Sequence, residues 1–96
     1  MVELVVGSAA EGDYAEALRW YAERSVQAAD RFEAEFGNAL ETIVSDPHRF
    51  PMCDARHRYC LMRYYPFQVI FREYRSGIVV IAVAHAKRQP GYWTDR

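Results

Sequence analysis

The last fifteen residues, AVAHAKRQPGYWTDR (82–96), break an apolar run with His85, Lys87, Arg88, Tyr92, Trp93 and Arg96 around a Pro90-Gly91 turn. Solvated termini are usually rich in Ser, Gly, Glu and Lys, whereas cations stacked with aromatics suit a surface that grips a ligand. A second group, His48, Cys53, His57 and Cys60, stands as H-x4-C-x3-H-x2-C and offers zinc-ligand types. Its spacing matches no standard finger and Cys60 alternates within a strand pattern, so both cysteines read as small apolar fillers and no metal is expected. Arg56, Arg58 and Arg63 form a third group, read either as a phosphate or partner contact or as charges that keep an edge strand from aggregating.

These residues need a scaffold, and 96 residues supply one domain with one core. Apolar residues make up 51% and aromatics 15%, the composition of a compact fold, and no run approaches the ~18 apolar residues of a membrane span. The start, MVELVVGSAAEGD, lacks the basic and long apolar regions of a signal peptide, so a cytoplasmic protein with reduced thiols is expected. The net charge of -1 hides a division. Residues 1–44 hold nine acids against three arginines, and residues 45–96 hold nine bases against four acids. Either the basic half meets nucleic acid or an acidic protein, or the halves pair with each other.

VELVV (Val2 to Val6) reads as a strand. Ser8 and Glu11 stand in the S-x-x-E relation of a capping box, and Tyr14, Ala17, Leu18 and Tyr21 then form an apolar stripe, giving a helix from about Ala9 to Arg24. Ser25 is a second cap, and Phe32, Phe36, Ala39, Leu40 and Ile43 carry a helix over about 26–45, until Pro47 and Pro51 forbid continuation. Tyr14, Trp20, Tyr21, Phe32 and Phe36 are assigned to the core or the hairpin seam. After the prolines the period changes to that of strands: RYCLMRYY (58–65), FQVIFREY (67–74) and IVVIAVAH (78–85) read as an antiparallel meander. The expected fold is α+β, in the order β-α-α-β-β-β, with a helical hairpin packed on one face of a small, mainly antiparallel sheet. In the last run Ile78, Val80, Ala82 and Ala84 occupy one face and Val79, Ile81 and Val83, leading to His85, the other. Such a strand is central and covered twice. The helices cover one face, and the C-terminal tail or a partner chain must cover the second.

This order, with RYYPFQVIFRE, DPHRFP and IVVIAVAHAKRQPGYW, resembles the RelE/ParE superfamily of toxins from type II toxin-antitoxin modules, in particular the plasmid-stabilisation branch. The resemblance runs from the Ala-rich first helix to Trp93. Its most specific parts are Tyr65, Pro66, Phe67, Ile70, Phe71 and Arg72 in one strand, and Ala82, Val83, Ala84, His85, Arg88, Pro90, Tyr92 and Trp93 at the end. It implies a small cytoplasmic growth inhibitor without a cofactor, silenced by a cognate antitoxin. The uncovered sheet face, with Val79, Ile81 and Val83, is where the antitoxin would bind. A plain interaction module without toxicity is a further alternative, and oligomeric state is left open.

The superfamily implies two modes of action. RelE-like members cleave messenger RNA on the ribosome without a metal, which requires a base, an acid and cations around the phosphate. For that chemistry the candidates are His85 as base or acid, Arg88, Arg63 and Arg72 as phosphate clamps, and Tyr92 as a stacking or proton-donating group. ParE-like members bind DNA gyrase, and for them Arg88, Tyr92, Trp93 and Arg72 form the target-binding patch. A net charge of -1 is poor for crossing ribosomal RNA, and residues 45–60 hold Asp46 and Asp54 but no glutamate, a residue some ribosome-acting members use. The residues therefore favour the gyrase-directed mode.

Overall fold

The computed structural model describes residues 3–87 and 90–96 of the chain. Along it run β1 (Glu3–Val6), α1 (Ser8–Ala22), α2 (Val26–Ser45), a 3-10 turn (Pro47–Arg49), β2 (Arg58–Leu61), β3 (Phe67–Tyr74) and β4 (Gly77–His85). This is the expected β-α-α-β-β-β order, with both helices on one face of a four-stranded sheet. Strands lie in the order β1-β4-β3-β2; β4 runs parallel to β1 and antiparallel to β3, which runs antiparallel to β2. β4 is thus interior, as its two-sided apolar sequence requires.

Ser25 caps α2 as expected, its Oγ accepting from the Ala28 N–H at 3.1 Å. The start of α1 departs from the reading: Gly7 is the cap, Ser8 already lies in the first turn, and no side chain closes the end. The cause is in the sheet. The Gly7 N–H donates to the Val80 carbonyl at 2.9 Å, so the strand holds the chain up to the residue from which the helix starts, and the Ser8–Glu11 capping box does not form.

The helix-side core centres on Phe32, fully buried, with the rings of Tyr14, Tyr21, Tyr65 and Phe67 at centroid distances of 5.2 to 5.6 Å. The Tyr65 hydroxyl donates to the Ala28 carbonyl at 2.7 Å, which ties the β2–β3 connection to α2. Trp20 is not part of this seam. It is 51% exposed, with the Arg24 guanidinium 3.8 Å from its ring centroid, because its helical position is one residue round from the buried stripe.

Two strands differ from the sequence pattern. β2 ends at Leu61 rather than continuing to 65: the Met62 N–H closes onto the Phe67 carbonyl at 2.9 Å and Tyr64 adopts a left-handed φ of 69°, which no strand continues through. In β4 the register slips. Ile70 faces Ala82 and Phe71 faces Val80, so Ile81 is an extra residue, a β-bulge. The expected alternation therefore fails beyond it. Ile78, Val80 and Val83 join the helix-side core, whereas Ile81, Ala82 and Ala84 lie together on the other face. At the β3–β4 hairpin Gly77 has φ 154°, and a Cβ there would stand 2.3 Å from the Glu3 carbonyl oxygen, so only glycine lets β1 draw alongside.

Candidate functional site

Of the two coverings open for the second sheet face, the tail supplies one. Residues 91–96 fold into a turn in which the Gly91 carbonyl accepts from the Thr94 N–H (3.0 Å) and hydroxyl (2.6 Å), and the Arg96 N–H donates to the Trp93 carbonyl (2.9 Å). This turn lays Trp93, 7% exposed, over Ile70, Ile81, Ala82 and Ala84, with Tyr92 packed edge-on to it at 5.3 Å. The indole Nε1 is buried without a hydrogen-bond partner among the described residues. Arg56 holds the turn from the β2 side through the Thr94 carbonyl at 3.3 Å.

The turn is locked by Arg96. Its guanidinium meets the Asp13 carboxylate at 2.7 and 3.3 Å, donates to the Ile81 carbonyl at 3.2 Å and stands 5.0 Å from the Tyr92 ring centroid. The hydrogen bond to Asp13 raises the Arg96 pKa above its ordinary value. Asp13 itself, from α1, also accepts from the Val83 N–H at 3.0 Å. This pair joins the acidic first half to the basic second half; His48–Glu73, Arg58–Glu73 and His57–Asp54 pair within the second.

His85 lies on the opposite side from Trp93. It packs edge-on against Phe67 at 5.1 Å and lines a cavity of about 340 Å³ with Asp13, Glu16, Ala17, Trp20, Tyr21, Pro66, Phe67 and Val83. The Lys87 N–H donates to Nδ1 at 3.0 Å, so in the neutral ring the proton sits on Nε2. Arg63 is two strands away, since β3 separates β2 from β4, and it binds the Tyr64 hydroxyl at 3.2 Å beside α2. Arg88 lies outside the described residues. His85, Tyr92 and Arg63 therefore do not meet around a common point, and the sheet stands between the imidazole and the tail aromatics.

The other sequence candidates scatter as well. Arg72 is on the tail side of the sheet, its guanidinium 4.9 Å from the Tyr74 ring centroid. Of the three residues assigned to antitoxin binding, Val79 is half-buried on that face, Ile81 lies close under the tail, and Val83 is turned to the helices by the bulge. Arg58 is not a free patch residue: it holds Glu73 at 2.9 Å and the Phe50 carbonyl at 2.6 Å, and Glu73 also takes His48 at 2.9 Å.

Sequence reasoning missed Asp13, and it missed Asp54 with His57. His57 is 1% exposed; its Nδ1 lies 2.9 Å from both Asp54 oxygens and its backbone N–H donates to the same carboxylate at 2.8 Å. Burial pushes the Asp54 pKa up, but the Arg56 and His57 N–H groups and the imidazole outweigh it and hold the carboxyl below its ordinary value. The D-x-R-H spacing of an Asx turn was the available signal. Cys60 fills the core as read, its thiol pKa raised by burial. Cys53 does not: it is exposed, its Sγ 3.5 Å from the His57 carbonyl oxygen. Among the described residues no group of three or more His, Cys, Asp or Glu gathers as for a metal, and no helix is long and apolar enough to cross a membrane.

The chain has relatives. The model of the family described as "ParE toxin of type II toxin-antitoxin system, parDE" matches residues 4–90. A solved structure titled "Chromosomal ParDE TA system from P. aeruginosa" superposes with a TM-score of 0.79 at 14% identity, covering 91% of this chain and 98% of that one. No curated protein matches.

Proposed function

The chain belongs to the ParE toxins of type II toxin-antitoxin systems, and we propose that it arrests growth by gripping DNA gyrase rather than by cutting RNA. One observation carries the choice of mode: the candidate acid–base residue His85 and the tail aromatics stand on opposite faces of the sheet. In-line cleavage of RNA needs proton-transfer groups and phosphate-binding cations around one phosphate, and the placing of His85 away from Tyr92 and Arg63 supports the other mode. A protein target asks only for a surface. The tail turn with Tyr92, the adjoining Arg72 and Tyr74, and the exposed Val5 make a mixed cationic and apolar patch of the kind that anchors a protein partner. The cognate antitoxin is the second partner of this reading, silencing the toxin by binding it.

Expression in cells with transcripts and DNA-damage signalling followed in parallel tests the proposal. The expected result is arrest with induction of the damage response and intact messenger RNA. Transcripts that are cut, and become intact in a His85→Ala variant, overturn it.

A further inference from the structure

β3 outruns the strand beside it. β2 begins at Arg58, opposite Phe71, whereas β3 continues through Arg72, Glu73 and Tyr74. On the outer side of β2 the Tyr59 N–H donates to the Pro51 carbonyl and the Cys53 N–H to the His57 carbonyl. His57 and Tyr59 therefore direct their backbone outward and Arg58 directs its own toward Phe71. By the same alternation Glu73 turns its N–H and C=O into the gap beyond the end of β2. Met52, Ala55, Arg56, Arg58, Arg72 and Glu73 line a cavity of about 300 Å³ there.

The charges around this cavity do not cancel. Its one carboxylate, Glu73, is held by Arg58 at 2.9 Å and by His48 at 2.9 Å, so it is already engaged. Arg56 and Arg72 remain. Arg56 donates to the Thr94 carbonyl at 3.3 Å, a neutral acceptor that occupies one N–H and removes none of the charge. Arg72 has its guanidinium 4.9 Å from the Tyr74 ring centroid and makes no ion pair among the described residues. Arg75, exposed in the turn after Tyr74, is a further cation one residue beyond the strand.

We propose that this cavity binds a phosphate group of a nucleic-acid backbone, held by Arg56 and Arg72. Three features select this ligand. Two guanidiniums with unused N–H groups match the oxygens of a phosphate in bidentate geometry. The engaged Glu73 leaves a positive balance for an anion to meet. Tyr74 and Met52, both exposed, stand beside the cations and offer an apolar footing to a sugar or a base. The contact is with the backbone, so binding is sensitive to salt and indifferent to sequence. Arg56 joins the cavity to the tail turn, and one face then meets both the protein target and the DNA on which that target acts. The choice of DNA rests on the gyrase-directed reading; the phosphate site does not.

The test uses the full chain and the anisotropy of a short labelled DNA duplex, titrated over a range of salt, for wild type, Arg72→Ala and Arg31→Ala. The melting temperature of each variant shows that it folds. Arg31 stacks on Tyr64 at the other end of β3, so its removal takes the same charge from a distant place. Expected for Arg72→Ala is a loss of affinity of about ten-fold, the size of a charge-assisted hydrogen bond. The slope of log affinity against log salt should become shallower by about one, as for one lost phosphate contact, while Arg31→Ala stays close to wild type. Wild-type affinity in Arg72→Ala, or equal losses in both variants, overturns the inference. So does binding of inorganic phosphate without binding of the duplex, which assigns the cavity to a free anion. Arrest with the damage response by a chain that binds no DNA overturns this inference and leaves the gyrase reading standing. DNA binding as expected, with arrest but no damage response, overturns the gyrase reading and supports the phosphate site.

Discussion

The two faces of the sheet are closed by unlike means. On one, two helices bring Phe32, Phe36, Ala39 and Ile43 onto Val69, Phe71, Ile78, Val80 and Val83, and interlocked rings fill the space. On the other, a single turn of residues 91–96 covers Ile70, Ile81, Ala82 and Ala84 with one indole, held by Arg96 and Arg56. The first closure cannot open without unfolding the domain. The second rests on less apolar surface, and among the described residues the buried Trp93 Nε1 has no hydrogen-bond partner, which weakens it. Most of the stabilising contact therefore lies on the helix face, and the tail face is expected to open first.

The largest effect that would sharpen this contrast is at Phe32. Phe32→Ala empties the centre of the helix-side core and is expected to cost about 3–5 kcal/mol, read as a lowered urea midpoint with loss of all structure together. Trp93→Ala is expected to cost less, about 2 kcal/mol, because the tail detaches before the domain unfolds. Proteolysis should then cut within 90–96 while the remaining core stays resistant; a cooperative loss as large as that of Phe32→Ala would break the comparison. Asp13→Asn and Arg96→Ala are each expected to cost about 1 kcal/mol, since both partners keep some contact with water. In a double-mutant cycle their effects should not add.

The smallest effect is a pH dependence at the loop that steadies the tail through Arg56. Asp54 is held below its ordinary pKa of 3.8 in the folded chain. Its contribution is complete above that value and is lost as pH falls through the lower folded one. Asp54→Asn should therefore be less stable than wild type at neutral pH, with the gap closing in acid, as measured by denaturation at both.

Periodicity made the helices, the meander and the central place of β4 readable, because each of these leaves a repeating apolar pattern. The bulge left none. Residues 78–84 are all apolar, so alternation there says nothing about which face each one takes, and Val83 was placed on the wrong side. Tyr64 was equally silent, a tyrosine in a backbone region that usually selects glycine or asparagine. At the candidate site His85, Tyr92 and Trp93 were visible as residue types, but their separation by the sheet was not. Asp13 was hidden for a different reason: its partner Arg96 is 83 residues away, and an exposed-looking acid on a helix carries no mark of what it will reach.

At Ile81 the strand leaves strict alternation, and Ile81 and Ala82 share one face. The small Ala82 and Ala84 come under Trp93 and the larger Val83 goes to the helices. An indole can lie flat on two alanines where it could not on valines. Without Ile81 the residues from Val80 to His85 would alternate in a regular ladder with the same faces, Ala82 and Ala84 under Trp93 and Val83 toward the helices. What the extra residue adds is a carbonyl turned to Arg96 and one more apolar side chain beneath the tail, so its loss would loosen the tail and leave the helix-side core in place.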